Sequence, residues 1–421
     1  MWVEMQKAFY AKTVVAEVEK ELEKRESTPV PLRKDRSNEE LIAAVKDFKA
    51  TLSERYVGRE EEVKVLLLGL VSAMPVLFVG DPGTAKSAIV RDAASLVDSK
   101  DKYFEYQLNK YTDPSELFGP IDIIRLKEES VYGRITKGKL PEAKIAYLDE
   151  IFNANSSVLN TLLSILQERI FYDGYVGKMK VPLHTVISAT NNIPEEPELA
   201  ALYDRLLIRH HVEPVSEDKY GDLLKKTSAV MFAGPKTEED KVKAALKPLL
   251  SIDELERLKS MLQPMDEVVM DEYVKIRKLL EAEAGIKISD RRFVQAQLVI
   301  AANAILNGRT KPEVEDLIVL KYIAPTKLED FKKVEGLLMD ELQIVEKAME
   351  NLTLVQQNLL KMFDTAKKST KRVSPEKLQA KLTLVKDTAI EMAANTKNEA
   401  AIAKANEIAK QIDEFLKDYQ P

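Results

Sequence analysis

The chain has 421 residues, 45% hydrophobic and 31% charged, which is too long for one buried core and ordinary for two or three soluble domains. Its net charge of −6 and pI near 5.6 exclude an overall basic field that would recruit nucleic acid or an anionic membrane. With no cysteine, and histidine only at His184, His210 and His211, disulfides and thiolate metal sites are excluded and a zinc site is disfavoured.

A reducing cytoplasm is the expected compartment. The longest uncharged run, Val65 to Gly80, falls short of the roughly 20 residues of a bilayer span and contains Gly69 and Pro75, so no membrane span is expected. No secretory signal is expected from Met1-Trp2-Val3-Glu4. Apolar positions at helical spacing predict a peripheral helix over 1–26, ended by Thr28-Pro29-Val30-Pro31, and residues 1–36 form a helix and linker.

From 37 to 215, short β-branched or aromatic runs alternate with helical segments, the pattern of a parallel sheet covered by helices. The apolar run Val76-Leu77-Phe78-Val79 leads into Gly80-Asp81-Pro82-Gly83-Thr84-Ala85-Lys86-Ser87 and then a helix-compatible stretch. A strand that turns through small residues into a helix N-terminus aims free N–H groups and the positive end of the helix dipole at one spot, where a polyphosphate fits. Lys86 then faces the β- and γ-phosphates, and the Ser87 hydroxyl is placed for Mg²⁺. Ala85 stands where glycine is usual, and an ordinary Gly/Pro turn is the alternative.

Farther on, Ile145-Ala146-Tyr147-Leu148 ends in Asp149-Glu150. A strand buried on both faces would deliver both acids to the sheet edge that carries the phosphate loop, Asp149 for the Mg²⁺ shell and Glu150 to polarise a water. A strand ending in solvated acids is the alternative. Val186-Ile187-Ser188-Ala189 leads to Thr190-Asn191-Asn192, where Asn191 either senses the γ-phosphate or serves a turn.

Residues 216–325 contain no convincing strand and several amphipathic helices, and so form an all-helical unit. From 326 to 421, Leu338, Leu342, Val345, Met349, Leu352, Val355, Leu359 and Met362 make a narrow seam for helix–helix packing. Ser374-Pro375 is suited to start another helix, and Leu378, Leu382, Val385, Ile408, Ile412 and Leu416 supply a returning apolar face.

Cradle, acidic strand and polar strand in this order resemble the AAA+ ATPases, and the MoxR family within them, closest to its RavA-like branch. Gly80 to Ser87 with Ala before Lys, Tyr147-Leu148-Asp149-Glu150-Ile151-Phe152 and Ala189 to Glu195 carry the likeness. So do Leu202-Tyr203-Asp204-Arg205-Leu206-Leu207-Ile208-Arg209 and Ile288-Ser289-Asp290-Arg291-Arg292. The resemblance covers about residues 37 to 325 and implies a five-stranded AAA+ P-loop core over 37–215, a helical lid over 216–325, and ATP with Mg²⁺ as cofactors. By the same resemblance, Val57 and Gly58 in Tyr56-Val57-Gly58-Arg59 close over adenine, Arg205 is the arginine finger and Arg291 the lid-borne sensor. An intrasubunit pair of Arg205 with Asp204 or Glu213 is the rival to the finger role, Arg209 is the alternative finger and Arg292 the alternative sensor. Residues 109–143 and the hairpin-like 168–185, with Asp173-Gly174 at its turn, look like the family's two insertions, which face the pore of a ring; alternatively, the hairpin packs on the sheet.

What the resemblance implies is a hexameric ring with a chaperone-like role on a protein client, often beside a partner carrying a von Willebrand factor A-type domain. A nucleic-acid motor using Lys178 and Lys180 and a non-hydrolysing scaffold are the rivals, the first opposed by the acidic balance, the second by the full set Lys86, Asp149, Glu150 and Arg205.

Overall fold

The computed structural model describes residues 36–99, 102–128, 130–174, 177–194, 196–232 and 246–342, and in the C-terminal region 352–360, 363, 382–383, 385–386, 389–390 and 399–418. The expected helix and linker before residue 36 and the helix start at Ser374-Pro375 lie outside the described residues.

Strands β1 (Val76–Val79), β2 (Tyr103–Gln107), β3 (Ile145–Asp149), β4 (Ile170–Asp173), β5 (Gly177–Lys180), β6 (Thr185–Thr190) and β7 (Ile208–His211) follow the expected alternation. Five of them form one parallel sheet in the order β2-β3-β6-β1-β7, while β4 and β5 pair as an antiparallel hairpin. Every residue of β1 and β6 is buried, which is why these strands read as unbroken apolar runs. The register pairs Val79 with Thr190 and Leu148 with Ser188, so the ends of β1, β3 and β6 stop together. Gly80, Asp149 and Asn191 therefore leave one edge of the sheet side by side.

Side chains alternate between two cores, as the two-residue period of a strand requires. On one face Val76, Phe78, Tyr147 and Ile187 pack with helices α1 (Asn38–Arg55) and α2 (Glu60–Ser72) and with much of the lid. On the other, Leu77, Val79, Ala146 and Leu148 pack with α4 (Ser156–Glu168) and α5 (Pro197–Arg205); α3 (Lys86–Ser95) follows the phosphate loop. The lid includes α6 (Asp290–Leu306) and a 3-10 segment, Val314–Tyr322, and α7 (Leu328–Leu342) docks on it through Val334 and Leu338.

Two readings of the sequence change. Residues 216–325 hold one short strand after all, since Leu250–Ser251 pairs in parallel with Val97–Asp98 and satisfies the backbone beside the buried Leu250. The described part of the seam is also not one surface, its Val345, Met349 and Met362 lying outside the described residues. Leu338 is buried in the core shared with the lid, whereas Leu352 and Leu359 enter a separate core with Leu382, Ile408, Ile412 and Phe415. Among the described residues no helix is long and apolar enough to cross a membrane.

Candidate nucleotide site

The phosphate loop is built around backbone that few side chains tolerate. Gly83 has φ 84°, and Ala85, the residue that caps α3, sits in the left-handed region at φ 67° and ψ 15° with no side-chain cap bond. A helix start without a side-chain cap leaves N–H groups free for a ligand. Thr84 Oγ1 donates to the Asp81 carbonyl at 2.9 Å and braces the loop. Lys86 Nζ donates to the carbonyls of Gly80 at 2.5 Å and Asp81 at 2.8 Å. The ammonium thus lies folded on its own loop. Burial pushes its pKa down, while Asp149, Glu150 and Asp81 pull it up.

Ser87 Oγ lies 3.3 Å from Asp149 Oδ2 and 3.0 Å from the Tyr147 hydroxyl. Two oxygen donors at this separation fit adjacent positions of an octahedral Mg²⁺, whose ligands at about 2.1 Å stand roughly 3 Å apart. Tyr147 shares a strand face with Asp149, two residues on, and its fully buried hydroxyl holds Ser87 in place. Sequence reasoning gave Tyr147 no role, although that two-residue spacing was visible.

Glu150 leaves β3 in the left-handed region, at φ 53° and ψ 46°, and its N–H donates to Asp149 Oδ1 at 3.0 Å. One carboxylate oxygen accepts from Asn191 Nδ2 at 2.7 Å and the other from Asn153 Nδ2 at 3.2 Å. Asn191, on the strand between the cradle and the acids, is therefore bonded to the candidate base itself. Desolvation, then the Asp149 charge, raise the Glu150 pKa. Asn153 was not singled out in the sequence, where it reads as one polar residue in a loop.

Tyr56-Val57-Gly58-Arg59 runs past the β7 edge of the sheet. Gly58 has φ 69°, and a Cβ there would meet Lys219 at 3.2 Å and Val215 at 3.3 Å. Arg59 fixes the segment by donating to the Glu213 carbonyl at 2.6 Å and to Glu62 at 2.9 Å. Beside it a cavity of about 490 Å³ is lined by Gly58, Arg59, His211, Glu213, Pro214 and Phe331, a volume suited to a small ligand. None of residues 80–87 lines it.

The arginines gather at the opposite edge. Arg205 ends α5, three residues before β7, whose Ile208 pairs with Val76 at the start of β1. The length of β1, roughly 13 Å for four residues, therefore separates Arg205 from the start of the cradle. Arg205 Nε donates to Gln167 Oε1 at 3.0 Å. Arg291, in the first turn of α6, lies 3.7 Å from Asp204 Oδ2 and is partly exposed. Arg209 is fully buried and donates to the carbonyls of Leu206, Pro325 and Tyr203, with its guanidinium 3.8 Å from the Tyr203 ring centroid. That role removes it as a finger. Arg292 is also buried, with Nε and Nη2 lacking hydrogen-bond partners, and desolvation with the nearby Arg209 pushes its pKa down to about 9.

A family described as the MoxR domain in the MoxR–vWA–beta-propeller ternary systems matches residues 43–259, and an AAA lid domain matches 268–338. An uncharacterized protein of Methanocaldococcus jannaschii is 33% identical over 75% of this chain and 83% of its own length. A second from the same organism is 34% identical over 89% of this chain and 97% of its own. The crystal structure of a candidate ATPase from Cytophaga hutchinsonii shares the fold with a TM-score of 0.56 at 18% identity, over 72% of this chain and 95% of that one. With the sheet order, the loop and the lid in place, the chain belongs to the MoxR family of AAA+ ATPases.

Proposed function

We propose that the protein binds ATP with Mg²⁺ in the Gly80–Ser87 cradle and hydrolyses it in a ring of identical copies, each completing its neighbour's site. The observation that carries this reading is the division of the chemistry between two edges of one sheet. Lys86, Ser87, Asp149, Glu150 and Asn191 stand at one edge, and Arg205 and Arg291 at the other. Arg205 on the far edge stands about the length of β1 from its own cradle.

In this reading the loop N–H groups and Lys86 hold the phosphates once the ammonium swings off the Gly80 and Asp81 carbonyls. Ser87 and Asp149 would hold the metal, which when bound would supply charge neutralisation to the phosphates. Glu150 takes the proton of the attacking water, with Asn191 and Asn153 fixing its direction. The base and ribose lie along Val57 and Gly58, as the resemblance implies. Arg205, with Arg291 beside it, meets the γ-phosphate of the adjacent copy, a task suited to a planar, always-charged fork.

A protein client and a partner with a von Willebrand factor A-type domain fit the ternary system named for the matched family. Ile123, Ile124, Tyr132, Ile135 and Tyr172 are each exposed on the insertion or the hairpin, apolar surface that favours a protein over a nucleic-acid client. We place the ring in the cytoplasm, as a chaperone-like remodelling machine.

Subunit mixing tests the central claim. Arg205→Ala protein is expected to bind ATP and to hydrolyse it on the order of a thousandfold more slowly, the scale of a finger supplied in trans. Mixed under subunit exchange with the likewise impaired Glu150→Gln protein, it should regain phosphate release from composite sites. No recovery at any ratio, with exchange verified, overturns the inter-subunit reading.

A further inference from the structure

Asp204 lies among four guanidiniums. It precedes Arg205 in the chain, Arg291 is 3.7 Å away, and Arg209 and Arg292 are both within its electrostatic reach. Its other oxygen accepts from Ser289 Oγ at 3.0 Å, and that hydroxyl in turn accepts from the Arg292 N–H at 3.4 Å as the cap of α6. One carboxylate thus ties the last turn of α5 to the first turn of the lid helix, at the end where the helix dipole favours an anion. Arg292 supplies the complementary sign. A buried guanidinium with two nitrogens unpartnered is costly unless negative charge is near. Asp204 supplies part of that charge, and a cluster of this balance still attracts a further anion.

We propose that Asp204 is a positioning residue for the hydrolysis: it holds the lid-borne Arg291 beside Arg205 so that both guanidiniums reach a neighbouring copy's γ-phosphate as one unit. This rests on the inter-subunit reading above and adds to it a specific tether, Asp204 to Ser289 and Arg291. Asp204 touches neither substrate nor metal. Its effect passes entirely through the arginines, so it changes turnover and leaves ATP affinity alone.

The test compares Asp204→Asn, Arg291→Ala and the double variant in the full-length protein, with kcat and KM measured separately. Asp204→Asn is expected to lose about tenfold in kcat with KM unchanged, the size at which contacting residues couple. The double variant should be no slower than Arg291→Ala alone, because the tether has nothing left to hold. A general structural role would instead multiply the two losses or move KM, and either result overturns the proposal, as does an unaltered kcat in Asp204→Asn. Should Asp204→Asn fail to fold, Ser289→Ala keeps the carboxylate and cuts the other half of the tether. It should show a smaller kcat loss with the same non-additivity against Arg291→Ala, which Ser289→Thr restores; an additive loss again overturns the proposal. If Arg205→Ala itself loses no activity, the inter-subunit reading is what fails. Loss in Arg205→Ala with none in Asp204→Asn removes only the tether.

Discussion

The two edges of the central sheet carry opposite chemistry. At the β1 end three acids, Asp81, Asp149 and Glu150, stand around one lysine, and each functional side chain already has a partner within its own edge. At the far end four arginines surround Asp204, and part of one guanidinium has no hydrogen bond. The first edge is a closed set of contacts. The second carries more positive than negative charge around Asp204 among the described residues. Neither half makes a complete phosphoryl-transfer site, and their signs are complementary.

Three changes break or sharpen this contrast. The largest effect belongs to the acidic edge, where Glu150→Gln should cut phosphate release at least about a hundredfold while ATP binding persists, because the cradle and Asp149 are untouched. Equal turnover in variant and parent would take Glu150 out of the chemistry.

A smaller effect lies in the pH profile. Burial and the Asp149 charge hold the Glu150 pKa above its ordinary 4.5, and a base works only when deprotonated. In the metal-free protein the Glu150 carboxyl should therefore titrate above the ordinary glutamate range when followed by NMR, and Asp149→Asn should move that titration downward; a titration at the ordinary value contradicts this.

The smallest effect concerns the loop. Ala85 holds a left-handed conformation that costs a residue with a Cβ about 1 kcal/mol or more, so Ala85→Gly should raise the unfolding midpoint by a few degrees. A lower midpoint would show that the flexibility glycine gives the unfolded chain outweighs the relieved strain.

The acidic edge was legible because its parts are local: a strand, a turn of small residues and a helix start are contiguous, and Asp149 closes a short apolar strand. The arginine edge was not. Arg205 and Arg209 sit four residues apart in one motif, and Arg291 and Arg292 are adjacent, so only tertiary packing separates them. Arg209 is committed to three carbonyls, one from Pro325, far along the chain, and Arg292 is sealed beneath it. Leu250–Ser251 escaped notice because two residues carry no periodicity. The split of the Leu338–Met362 seam escaped because spacing reports a helical face and says nothing of which core receives it.

Arg209 also has a mechanical meaning. By binding the carbonyls of Tyr203 and Leu206 at the end of α5 and that of Pro325 just ahead of α7, it acts as a strut between the two segments. A strut transmits displacement without stretching. If Arg205 meets a neighbour's phosphate as proposed, a push on the end of α5 would be carried through these three bonds to the root of α7, a short lever leading out of the ATPase core.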